Sequence, residues 1–117
     1  MNNKKSIRKD WKLIESLIKN NSRVLDIGCG EGGLIAQLTN NIQAKTNGIE
    51  VNPELTRKAI ASGYNVVQGN AEKDLLQYSN QSFDYVILSQ TLQAMIKPKE
   101  VLLELLRIGG KAIVSFP

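Results

Sequence analysis

Between residues 6 and 20 the apolar positions Ile7, Trp11, Ile14 and Ile18 recur at helical spacing, with Leu13 and Leu17 beside them and lysines on the other face. That pattern predicts an amphipathic lead-in helix. Asn20, Asn21 and Ser22 break it, and RVLDI at 23–27 is a short apolar strand that runs straight into CGEGG. A helix is expected from about Glu31 to Leu38. The unit then repeats: TNGIEV at 46–51 reads as a strand, Pro53 suits the first turn of a helix running to about Ala61, and Gly63 closes it. YNVVQG at 64–69 is a third strand, followed by a short helical piece near 73–77 and the polar turn YSNQS. FDYVILS at 83–89 is apolar without alternation, as a strand covered on both faces should be. Pro98 opens a last helix through Arg107, Gly109 and Gly110 end it, and KAIVSF at 111–116 is the fifth strand. Strands alternating with crossover helices call for a three-layer α/β domain with a doubly wound parallel sheet.

Length fits this picture. At 117 residues the chain is expected to be one domain, with residues 1–22 as the lead-in helix and 23–117 as the core that carries the site. Hydrophobic residues at 42% and charged residues at 22% are ordinary globular values, and no apolar run suits a membrane span. A cytoplasmic location fits the absence of an apolar segment behind the basic N-terminus and the single cysteine, Cys29. The net charge of +4 hints at nucleic acid until it is located. Residues 1–20 hold six Lys/Arg against two Asp/Glu, while residues 21–117 hold nine of each. The excess therefore belongs to one helix face with a single aromatic, and no nucleic-acid partner is expected. With no histidine in the chain, imidazole catalysis and histidine metal ligation are excluded, and no metal is expected.

The chemistry-bearing stretch is Asp26-Ile-Gly28-Cys-Gly30-Glu-Gly32-Gly33, set between a strand and a helix. Glycines there let the backbone turn tightly and a ligand approach where a Cβ would collide. Gly28, Gly30 and Gly33 also satisfy G-x-G-x-x-G, which alone is weak evidence for a dinucleotide. Asp26 before the first glycine and Glu31 at the helix start place two anions where a pyrophosphate would sit. A ligand with a sulfonium and an ammonium suits them better, which favours S-adenosylmethionine over NAD, and its demethylated product S-adenosylhomocysteine would take the same site.

Glu50 ends the second strand, where a carboxylate can accept from both ribose hydroxyls. An unpaired acid at such a place would be costly, which argues for a partner in the ligand. Asn70 stands just past the third strand, where an amide could read the adenine amino group, with the Ala71 N–H offered to a ring nitrogen. Ser89, Gln90 and Gln93 should face the reactive end, beyond the carboxyl end of the fourth strand. All three are neutral, so no general base is evident and no catalytic residue is assigned. Asp84, at the start of its strand, reads as structural. Cys29 and Val51 are counted with the ligand-contacting residues, but nothing nearby activates the Cys29 thiol and its part is packing.

With these residues placed, the chain resembles the class I methyltransferases, with a Rossmann-like fold. LDIGCGEGG is similar to their first motif, GIEVNP to their ribose-binding strand end and QGNAE to their adenine-binding turn. IRKDWKLIESLI, SFDYVILSQTLQAMIKPKEVL and GGKAIVSFP resemble the methionine-biosynthesis MetW family more specifically. The resemblance implies strand order 3-2-1-4-5. It places Asp26, Gly28, Gly30 and Gly32 on the methionine moiety, Glu50 on the ribose, and Asn70 and Ala71 on the adenine. Asn70 stands where the family usually has Asp, and the sequence ends at SFP where relatives continue, which suggests a C-terminal truncation. The resemblance further implies a part in methionine biosynthesis alongside the homoserine O-acyltransferase MetX. The other readings are an active methyltransferase on a small acceptor and an NAD-dependent oxidoreductase. A fifth strand left apolar at the sheet edge is an association surface, so a homodimer is a further expectation.

Overall fold

The fold, described by a computed structural model over residues 3–89 and 95–115 with side chains from Asp10 onward, is a five-stranded parallel sheet ordered β3-β2-β1-β4-β5. The elements are α1 (Asn3–Ser16), β1 (Arg23–Ile27), α2 (Gly33–Ile42), β2 (Lys45–Glu50), α3 (Pro53–Ala61), β3 (Val66–Gln68), α4 (Ala71–Asp74) with a following 3-10 turn (Leu75–Gln77), β4 (Phe83–Ser89), α5 (Pro98–Ile108) and β5 (Gly109–Ser115). The expected strand order and three-layer arrangement are both present. Gln90 and Gln93 lie outside the described residues, as do the Ile7 side chain and Phe116.

Each sheet face has its own apolar cluster because consecutive strand residues point to opposite sides. Leu25, Ile27, Val86 and Leu88 pack with Leu75, Val101, Leu105 and Ile108 under α5. Val24, Tyr85 and Ile87 pack with Ile14 and Ile18 at α1 and with Leu34, Leu38 and Ile42 of α2. Ile35, Ala59 and Val66 continue that second layer beneath α3. Leu13 and Leu17, grouped with the apolar face of α1 by spacing alone, are instead 62% and 54% exposed.

Five boundaries differ from expectation for local reasons. The end of α1 tightens, with the N–H groups of Leu17 and Ile18 bonding the carbonyls of Ile14 and Glu15, so the helix stops at Ser16 although Ile18 is still buried. Left-handed backbone at Gly30 and Gly32 delays α2 to Gly33, and buried Ile42 extends it through the polar Thr39–Asn41 stretch. The strand β3 loses Tyr64, whose N–H bonds the Ala59 carbonyl of α3. Gly109 and Gly110 open β5, so α5 passes into the strand with no loop between them. A Cβ at Gly109 would stand 2.5 Å from Val86 Cγ2.

Candidate functional site

The β1–α2 loop is held to its neighbour strand by its own amides. The N–H groups of Gly28 and Cys29 donate to the Ile49 carbonyl at 2.8 and 3.2 Å, and the Gly32 N–H donates to the Cys29 carbonyl at 3.1 Å. Glu50 completes the arrangement. Only 6% exposed, its Oε1 accepts the Gly30 N–H at 2.8 Å and its Oε2 the Asn52 N–H at 2.9 Å. Asn52 in turn caps α3, its Oδ1 accepting from the Glu54 and Leu55 amides. The acid expected to need a ligand already has two backbone donors, each oxygen keeping a lone pair for a further one.

Asp26 is 3% exposed, opposite Ile87 of β4, and is not among the lining residues of the two cavities beside Gly28. Burial, with the Glu50 charge adding to it, pushes its carboxyl up to about 7. The Cys29 thiol is pushed up to about 12, by burial first and then by the Asp26 and Glu50 charges, so it keeps its proton and packs against Ile35. Glu31 pairs at the rim with Lys58, 3.3 Å away. A diphosphate would therefore meet the Glu50 charge rather than that of Glu31, and four of the loop amides already have acceptors.

Two cavities flank Gly28. One, of about 190 Å³, is a slot with Ile27, Ile49, Val51, Asn70, Ala71 and Met95 in its walls. Val51 is 62% exposed at its lip, an apolar side chain left uncovered. Asn70 caps the short α4, its Oδ1 accepting the Glu72 N–H at 2.7 Å and its own N–H reaching Asp74 Oδ2 at 2.6 Å. The side-chain amide thus keeps its NH2 and one oxygen lone pair for another partner.

The other cavity, of about 460 Å³, runs along the glycine loop to the carboxyl ends of β4 and β5. Its walls include Cys29, Gly30, Gly32, Ser89 and five residues the sequence reading did not place there: Asp10, Trp11, Ser62, Tyr64 and Ser115. Ser115 could have been found by the rule that picked Ser89, since it ends the adjacent strand. Trp11 and Tyr64 give two of the glycines a second reason: a Cβ on Gly33 would strike the Trp11 ring, and one on Gly32 would lie 2.5 Å from Tyr64 Cδ2. Gly32, at φ +95°, also adopts the left-handed backbone that side chains disfavour. Asp84, read as structural, ties the starts of β1 and β4 together by accepting from the Arg23 N–H at 2.8 Å and pairing with its guanidinium at 3.1 Å.

Residues 8–117 match the family described as Methionine biosynthesis protein MetW. The bifunctional methionine biosynthesis protein MetXA/MetW of Rhodopirellula baltica is 35% identical over an alignment 116 positions long that covers 92% of this chain and 19% of that protein. A SAM-dependent methyltransferase of Thermotoga maritima superposes with a TM-score of 0.69 at 26% identity, over 90% of this chain and 48% of the other. A protein of Pyrococcus horikoshii gives 0.77 at 24% identity, over 91% and 52%. A TehB-like SAM-dependent methyltransferase of Corynebacterium glutamicum gives 0.74 at 20% identity, over 90% and 60%. The chain thus spans less than two thirds of each of these relatives.

Proposed function

Because the chain belongs to the methionine biosynthesis protein MetW family, we propose that it binds S-adenosylmethionine or S-adenosylhomocysteine and acts with the homoserine acyltransferase MetX, reporting to it the level of the pathway's end product. The observation that carries the ligand is the division of the site at Gly28 into an apolar slot and a larger, more polar cavity. An adenosyl amino acid has the same two-part character: a flat ring system that buries apolar area, and a charged tail. Val51, Ala71 and Asn70 would hold the adenine, Glu50 the ribose, and Gly28, Gly30 and Ser89 the amino-acid end. The buried acids Asp26 and Glu50 favour a ligand carrying positive charge. The partnership rests on the Rhodopirellula baltica relative, whose single chain carries both names.

Catalysis has less support. Among the described residues the cavity offers neutral hydroxyls and a thiol that keeps its proton, and its two carboxylates, Asp10 and Glu31, both already have partners, so no free group is poised to take a proton. A binding subunit needs none, since a ligand that prefers one state of an assembly shifts that assembly by its differential affinity.

Thermal-shift titration tests the reading. At 100 times its dissociation constant, either adenosyl compound should stabilise the protein by about 2.7 kcal/mol, whereas NAD should not. Val51→Asp, at an exposed position, should abolish the shift without lowering the ligand-free melting temperature. A melt that moves with NAD alone removes the proposal, and transfer of a labelled methyl group into an acceptor would replace the sensing role with an enzymatic one.

A further inference from the structure

Ser89 Oγ and Ser115 Oγ are the two buried side-chain oxygens without a hydrogen-bond partner among the described residues, and both serines line the larger cavity. Their placement is coupled. Ser89 and Ser115 are register partners at the carboxyl ends of β4 and β5, one strand spacing apart, or about 4.8 Å. Ile87 and Ile113, two residues earlier on each strand, belong to the apolar cluster under α1 and α2, so both hydroxyls lie on the side of the sheet that Trp11 and the glycine loop cover. An unsatisfied buried hydroxyl is destabilising, and two side by side at a cavity wall suit something that arrives from outside.

The occupant's chemistry follows from what surrounds the pair. Two donors a strand apart match the two oxygens of one carboxylate, each of which can accept. A bare anion would be repelled by the Glu50 charge, which sits against the glycine loop at Gly30. A zwitterion meets both demands. The geometry points to Ser89 and Ser115 as a two-hydroxyl clamp for the carboxylate of a ligand's α-amino acid end, with its ammonium turned to the acidic side of the cavity. This rests on the adenosyl reading above and assigns the part of the ligand that lies farthest from the adenine slot.

Calorimetric titration with S-adenosylhomocysteine, and with 5′-methylthioadenosine, which lacks the amino-acid end, tests the clamp. Ser115→Ala should weaken S-adenosylhomocysteine roughly tenfold, the loss of one charge-assisted hydrogen bond, and leave 5′-methylthioadenosine unchanged. Ser115→Thr keeps a hydroxyl and should restore most of the affinity. Free Ser115→Ala should melt no lower than the parent, because it removes an unsatisfied group, which separates a lost contact from a damaged fold. If the parent binds both compounds and Ser115→Ala weakens both alike or neither, the clamp is wrong and the adenosyl reading stands. If the parent binds neither compound, the adenosyl reading falls and takes the clamp with it.

Discussion

Asp26 is a buried acid that no ion pair reaches among the described residues. Its folded-state value of about 7 stands above the ordinary 3.8, so the folded chain retains a proton that the unfolded chain releases. Stability contributed this way is full below pH ~4, declines as pH rises to about 7 and is lost above it. Asp26→Asn has no proton to lose. It should match the parent near pH 4 and exceed it at pH 8 by roughly 2–4 kcal/mol, read from urea midpoints at the two values. An equal difference at both pH values would show that the carboxyl titrates normally. Asp26 also shows what spacing can and cannot give. Spacing identified an acid two positions before Gly28, but only the packing shows it buried, with Glu50 making backbone contacts beside it.

At the scale of elements, α1 and α2 meet where a side chain is missing. Trp11 occupies the volume of the absent Gly33 Cβ, and Glu15 Oε1 accepts from both Gln37 Nε2 and Asn41 Nδ2 at 2.9 Å. Gly33→Ala should displace the Trp11 ring, lower stability by about 1–3 kcal/mol and red-shift the emission of the chain's single tryptophan; an unshifted spectrum would mean that the ring yields at no cost. The extent of β4 and α3 was legible to the residue, β4 because its run is apolar on both faces and α3 because Asn52-Pro53 is an unambiguous start. The end of α2 and the length of β3 were not. Both depend on contacts made across the fold: buried Ile42 holds the last turn of α2, and the Tyr64 N–H is taken by the Ala59 carbonyl.

For the whole molecule, the lead-in helix is part of the fold and not an appendage. Ile14 and Ile18 are 3% and 6% exposed in the cluster that covers one sheet face, and Trp11 walls the larger cavity. Deleting residues 1–18 should remove about 3–6 kcal/mol of apolar burial, a large share of the net stability of an ordinary domain. Circular dichroism in urea would then record a much lower midpoint, and a midpoint equal to the parent's would make α1 dispensable. The alternation of strands and helices was enough to predict this architecture, because parallel neighbours leave few alternatives. The cavity along α1 was invisible in the sequence, since nothing in the pattern says which loop a tryptophan will reach.

Glu50 joins these scales. Its two oxygens fasten the glycine loop on one side and the first residues before α3 on the other, making one carboxylate the latch between two walls of the pocket. A glutamine there has a single acceptor oxygen and could fasten only one wall. The acid proposed above for the ribose is therefore also the pin on which the pocket's shape turns, and a change made for the first purpose would loosen the second.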